Sequence, residues 1–138
     1  MDIMLNNALE PGKDYGFLEL AHDHAAWPAD GRGRCLLVSF NTPGYYSLAV
    51  RILALAAHLS PTVIEAWDTR YTEADVTEDA ASLAAAITAW KPEVIAFTVN
   101  IWNLKRCLEL IPRLKRALPG SAIVLGGQEV TNSVTDFL

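Results

Sequence analysis

The pattern of apolar and polar positions changes character at Cys35. Residues 1–34 carry no sustained periodicity. Pro11, Gly12 and Gly16 interrupt them, and Trp27-Pro28-Ala29-Asp30-Gly31-Arg32-Gly33-Arg34 is a cluster of breakers. They predict an N-terminal extension with a short helix near Phe17–His22 and a turn-rich linker. From Cys35 the pattern becomes regular. Cys35–Phe40 is a continuous apolar run, as in a strand buried on both faces. Asn41-Thr42-Pro43-Gly44 breaks it, and Tyr45–Leu59 is apolar on most sides, predicting a helix laid against a sheet with little exposure. Pro61 ends that helix, Thr62–Trp67 reads as a second strand, and Asp68–Val76 reads as a polar loop.

Thr77 is placed to cap the next helix, whose inner face is Ala80, Leu83, Ala84, Ile87 and Trp90. Pro92 stops it, and Val94–Val99 is a third strand. A helix over about 101–118 should bury Leu104, Cys107, Leu108, Ile111 and Leu114 and should be kinked or split by Pro112. Ala122–Leu125 is a fourth strand, and a last helix starts near Thr131 or Asn132. Strands alternating with helices predict an α/β fold, a doubly wound parallel sheet of Rossmann-like or flavodoxin-like type. Such a sheet usually has a fifth strand, so the pattern predicts the front part of a longer polypeptide: an extension over 1–34 and a C-terminally incomplete domain over 35–138.

Doubly wound sheets bind ligands at the carboxyl ends of their strands. Four exits therefore define the candidate site: Asn41-Thr42-Pro43-Gly44-Tyr45-Tyr46-Ser47, Asp68-Thr69-Arg70-Tyr71-Thr72, Thr98-Val99-Asn100-Ile101-Trp102-Asn103, and Gly126-Gly127-Gln128-Glu129. Thr98 at one exit and Gly126-Gly127 at another leave room for something large to lie against the backbone.

Composition narrows the function classes. The chain has 138 residues, 51% of them hydrophobic and 20% charged, with a net charge of −5. That supports one well-cored domain, and it argues against nucleic acid as a partner because no basic stripe offsets the acidity. Lys105, Arg106, Arg113, Lys115 and Arg116 read as a solvated helix face. The apolar stretch Leu48–Leu59 is about two-thirds of a membrane span and contains Arg51 and His58, so no membrane span is expected. The N-terminus lacks a secretory pattern. Cys35 and Cys107 have no metal-ligand spacing, which predicts two free, mostly buried thiols in a reducing, cytoplasmic compartment.

Several chemistries fail on their residues. The first exit holds only Gly44 where a dinucleotide fold wants G-x-G-x-x-G, and neither a P-loop nor G-x-S-x-G is present. Asn41 and Asn100 stand where a phosphoacceptor receiver needs acids. His22 and His24 fall in the extension, and His58 lies on an apolar helix as a core or rim histidine. No catalytic group and no metal ligand is assigned.

Taken together, Thr98-Val99-Asn100-Ile101-Trp102-Asn103 before a helix, Val124-Leu125-Gly126-Gly127-Gln128-Glu129-Val130, and Asn41-Thr42-Pro43-Gly44-Tyr45 before a helix resemble the cobalamin-binding domain at the front of B12-dependent radical SAM enzymes. The resemblance covers about 35–138. The wider cobalamin fold carries D-x-H-x-x-G after its first strand, with the His as lower cobalt ligand. Laid on this chain, the Asp position is Asn41, the His position Pro43 and the Gly position Tyr46; the small residue after the third strand is Thr98, and the Gly-Gly is Gly126-Gly127. The resemblance therefore implies cobalamin held base-off without a protein imidazole. Tyr45, Tyr46 and Trp102 would face the corrin, or else serve as core and helix-capping residues. Thr42, Ser47, Asn100, Gln128 and Glu129 would meet its amides.

Arg70, read as a loop residue at the same edge, would block the lower face of cobalt without ligating it, since guanidinium has no lone pair to give. The resemblance implies a methyltransferase whose radical SAM domain, outside these residues, would hold a [4Fe-4S] cluster and S-adenosylmethionine; no CxxxCxxC occurs here. A flavodoxin-like binding or sensory module, holding a flavin or serving as a partner surface, is the alternative. A nucleotide-dependent enzyme has only the fold in its favour.

Overall fold

In a computed structural model, which describes residues 30–132, the chain forms four parallel strands and five helices. The order is β1 (Gly33–Asn41), α1 (Leu48–Leu59), α2 (Pro61–Ala66), β2 (Trp67–Asp75), α3 (Ala80–Trp90), β3 (Val94–Thr98), α4 (Leu104–Ala117), β4 (Ala122–Gly126) and α5 (Gln128–Asn132). The predicted extension up to residue 29 and its helix near 17–22 lie outside the described residues. The sheet order is β2-β1-β3-β4, every pair parallel. This is the doubly wound α/β architecture expected. The chain leaves β1 toward β2 on one side and returns to β3 on the other, so the switch point lies between β1 and β3.

Alternation along β1 builds two cores. Leu36, Val38 and Phe40 face α3 and α4, where Ile87, Trp90, Ile95, Phe97, Leu110 and Leu114 close the larger cluster. Leu37 faces the other way and meets Val50 and Ala54 of α1 and Tyr71 of β2. The α1 layer is thin. Only Val50 and Ala54 of that helix are buried, and Leu48, Ile52, Leu53 and Leu59 remain more than half exposed. The expectation of a helix with little exposure is corrected accordingly. On this side Ala122 and Val124 of β4 are also exposed.

The second strand and the helix before it differ most from expectation. Residues 61–66 are helical, and the strand occupies 67–75, where the sequence suggested a loop. Pro61 at the first helical turn presets φ for a helix start, which overrides the β-branched Thr62, Val63 and Ile64. The nine residues of β1 pair in register with the nine of β2, from Gly33↔Trp67 to Asn41↔Asp75. The charges in β2 are tolerated because it is a sheet margin. Three smaller corrections concern α3 and α4. Asp79, not Thr77, caps α3 by accepting from the Ser82 N–H at 2.8 Å, while Thr77 bonds back to Asp75. In α4 the buried stripe is Cys107, Leu110 and Leu114, with Leu108 exposed. Pro112 does not split α4; it stands on the exposed side, as does Leu108, whose carbonyl it deprives of a partner.

The Asp79 cap gives a first testable expectation. Bonds from the Ser82 backbone and hydroxyl hold its carboxyl below the ordinary value of 3.8. A depressed pKa contributes stability above the unfolded-state value that is lost as pH falls through the folded-state value. Asp79→Ala should therefore lower the melting temperature at pH 7, and the gap from the parent should narrow in a thermal series carried below pH 3.8.

Candidate functional site: a groove at the switch point

A groove of about 660 Å³ opens at the carboxyl edge between the β1 and β3 exits. One wall is Asn41, Thr42, Tyr45, Tyr46 and Ser47. The opposite wall is Thr98, Asn100 and Trp102, and Gly127 and Gln128 close the far side. These ten are among the residues expected from sequence. The floor is Ser39, and Leu48 and Ala49 of α1 complete the near wall; all three escaped the sequence reading because they sit inside elements rather than at exits.

Each wall has a local cause. Ser47 is the N-cap of α1, its hydroxyl accepting from Val50 N–H, so the helix starts after the two tyrosines and not with them. Gly44 takes a positive φ of 81° and lets the loop turn, with Tyr45 N–H donating to the Thr42 carbonyl at 3.1 Å. Tyr45 and Tyr46 are therefore three-quarters exposed, and Trp102 is 55% exposed. The alternative in which the tyrosines are core residues is excluded by that exposure.

The β3 and β4 exits are joined by backbone. Val99 N–H donates to the Gly126 carbonyl at 2.6 Å, and Glu129 N–H donates to the Val99 carbonyl at 3.3 Å. At Gly127, φ is 106°, and an added Cβ would stand 2.9 Å from Val99 N and 3.0 Å from Val99 C. Glycine is required there by close approach of two chain segments.

At the centre is Asn103, fully buried, which the sequence places at the end of the third exit without giving it a role. Its Oδ1 accepts from Asn100 N–H at 2.8 Å. Its Nδ2 donates to the carbonyls of Phe40 at 3.2 Å and Thr98 at 2.9 Å. One side chain thereby ties the ends of β1 and β3 together. Its only sequence signal is a polar residue at a helix start, which reads as an ordinary cap.

The remaining expected residues lie elsewhere. Pro43 and Gly44 line a smaller cleft of about 260 Å³ on the β2 side of the same loop. Val99 is buried toward α3 and α4. Gly126 ends β4 opposite Thr98, and Glu129 lies on α5. Arg70 is a correction. It is not on an exit loop but inside β2, level with Leu36 and five residues before the Asn41–Asp75 end, with its Nη2 held 2.9 Å from Asp68 Oδ2. The edge pairing that makes 67–75 a strand takes Arg70 away from the groove, and a role beneath cobalt is withdrawn.

The site has acceptors, donors and aromatic surfaces but no obvious nucleophile. Burial pushes the Cys107 thiol up to about 12, which leaves it inert at neutral pH. Among the described residues no group of three or more His, Cys, Asp or Glu comes together, and no helix is long and apolar enough to cross a membrane.

The sequence matches the family described as B12 binding domain over residues 39–138. It is also similar to the 2-(S-pantetheinyl)-carbapenam-3-carboxylate methyltransferase of Streptantibioticus cattleyicolor, 27% identical over 111 residues. That match takes in 80% of this chain and 16% of the length of that relative.

Proposed function

From the premise that this chain belongs to the B12-binding domain family, we propose that it holds cobalamin base-off in the switch-point groove, with no histidine on cobalt, as the B12 domain of a radical SAM methyltransferase. The observation that carries the binding mode is the groove itself. It is open along Thr98, whose side chain is small, and it has exposed aromatic faces at Tyr45, Tyr46 and Trp102. A broad, amide-fringed ring with a long tail matches that donor set: aromatic faces for the ring, and Thr42, Ser47, Asn100 and Gln128 for amides. Pro43, at the place of the ligand histidine, has no side-chain atom that coordinates a metal.

Cobalamin, when bound, supplies a cobalt centre able to accept and release a methyl group. The chain's own part would be to hold the ring's amides through Thr42, Ser47, Asn100 and Gln128, to offer its faces Tyr45, Tyr46 and Trp102, and to supply no imidazole to cobalt. The methyltransferase assignment is supported by the activity of the relative. The radical SAM assignment, with its cluster and S-adenosylmethionine in a partner domain, is supported by the resemblance of the three exits. A cytoplasmic setting accords with two free thiols.

Hydroxocobalamin mixed with the folded protein should co-elute through a desalting column with a base-off spectrum. After reduction, the electron paramagnetic resonance of the Co(II) form should lack nitrogen splitting from an axial ligand. No retention by folded protein would leave the flavodoxin-like module as the better reading. Retention with nitrogen splitting would sink the histidine-free mode alone.

A further inference from the structure

Beside the groove, Glu73 makes a set of bonds that the binding reading does not use. Register places it opposite Ser39 on the α1 side of the sheet, and its side chain is only 13% exposed. Oε1 accepts from Asn41 Nδ2 at 2.8 Å and from the backbone N–H of Ser47. Oε2 accepts from Arg51 Nε at 2.8 Å and Nη2 at 2.6 Å. Arg51 in turn lies over the Tyr46 ring, 4.4 Å from its centroid, and 5.9 Å from that of Tyr71. Asn41 is fixed from below as well, its Oδ1 accepting from the Ser39 hydroxyl at 2.9 Å.

One carboxylate therefore holds the start of the first exit loop through Asn41, its end through Ser47, and an exposed aromatic wall through Arg51. We propose that Glu73 is the positioning residue of the groove's first wall, acting through Arg51 to set Tyr46 against the bound ring. This deepens the cobalamin reading and rests on it. Asn41 thus turns its amide to Glu73, across the sheet from its own strand. Charge is essential at one end of the side chain. A glutamine retains an acceptor for Asn41 and Ser47, but turns an amide N–H₂ toward a guanidinium that has only donors.

The test compares hydroxocobalamin dissociation constants and the visible circular dichroism of the bound cofactor for the parent, Glu73→Gln, Arg51→Lys and Ile87→Val. Ile87 is buried in the opposite layer, so its truncation destabilises the fold without touching the groove. Glu73→Gln should raise the dissociation constant about tenfold and alter the dichroism, the scale of losing one charge-assisted contact. Arg51→Lys, which keeps the cation but not the fork, should do the same in smaller measure. Ile87→Val should lower the melting temperature with both readouts unchanged. Glu73→Gln binding within about twofold of the parent would overturn the proposal, as would Ile87→Val weakening binding to the same extent. Failure of the parent to bind would instead remove the cobalamin reading on which it stands.

Discussion

Asn103→Ala is expected to cost about 3 kcal/mol of unfolding free energy, a large part of what a domain of this size has. The side chain is fully buried and makes three bonds to backbone, with Asn100 N–H, Phe40 C=O and Thr98 C=O. Alanine leaves one donor and two acceptors without this partner in a space that a methyl group does not fill. Each orphaned group carries a desolvation cost of roughly 1–3 kcal/mol, offset in part where other bonds or water reach it. Asn103→Asp sharpens the test. It has nearly the same shape and keeps the acceptor for Asn100, but it sets carboxylate oxygen against two carbonyl oxygens and should be at least as damaging as alanine at pH 7. Chemical denaturation of the three proteins would decide. A loss under about 1 kcal/mol for alanine, or full tolerance of aspartate, would mean that the knot between β1 and β3 is redundant. Because those two strand ends are the walls of the groove, surviving Asn103→Ala protein should also bind hydroxocobalamin more weakly.

What the sequence disclosed, and what it hid, follows from where the physics is local. Cys35–Phe40, Val94–Val99 and Ala122–Leu125 are short apolar runs bounded by breakers, and strands β1, β3 and β4 lie there within two residues at either end. Groove residues at the ends of these runs were legible for the same reason: a small or polar residue after a buried strand can only be at the edge. The second strand was not legible. Its residues, Trp67-Asp68-Thr69-Arg70-Tyr71-Thr72-Glu73-Ala74-Asp75, become a strand by pairing with β1, on one side only among the described residues, and an edge strand needs no apolar run. That single misreading carried Arg70 to the wrong place and concealed Glu73, whose importance exists only once β2 lies beside β1. Asn103 was hidden in another way. Its role is to satisfy backbone groups 63 residues away in Phe40 and five away in Thr98, and no local pattern records that. The α1 face shows the opposite bias: an apolar helix predicts burial, yet only the half of it over β1 and β2 finds a sheet to cover.

Gly127→Ala should disable the groove more completely than removal of any one contact within it. Two effects add. The residue holds φ at 106°, a region that L side chains rarely adopt, and relaxing it means re-routing the turn between β4 and α5. The new methyl group would also press on the backbone of Val99, at 2.9 Å from its nitrogen, 3.0 Å from its carbonyl carbon and closer still to its oxygen. Backbone cannot rotate away as a side chain can. Val99 is pinned by its own N–H bond to the Gly126 carbonyl, so the strain passes straight to the β3 exit. A cost of about 3 kcal/mol is the expected scale for a strained conformation combined with overpacking. Gly126→Ala is the internal control, since a Cβ there meets nothing nearer than the Phe97 carbonyl oxygen at 4.0 Å. Thermal unfolding should therefore separate the neighbours, with Gly126→Ala close to the parent and Gly127→Ala far below it. Where the latter is folded at low temperature, hydroxocobalamin should wash off it on a desalting column while remaining on Gly126→Ala protein. Equal melting temperatures for the two variants would show that the β3 and β4 exits can part without penalty, and that the groove's far wall is set by something other than this contact.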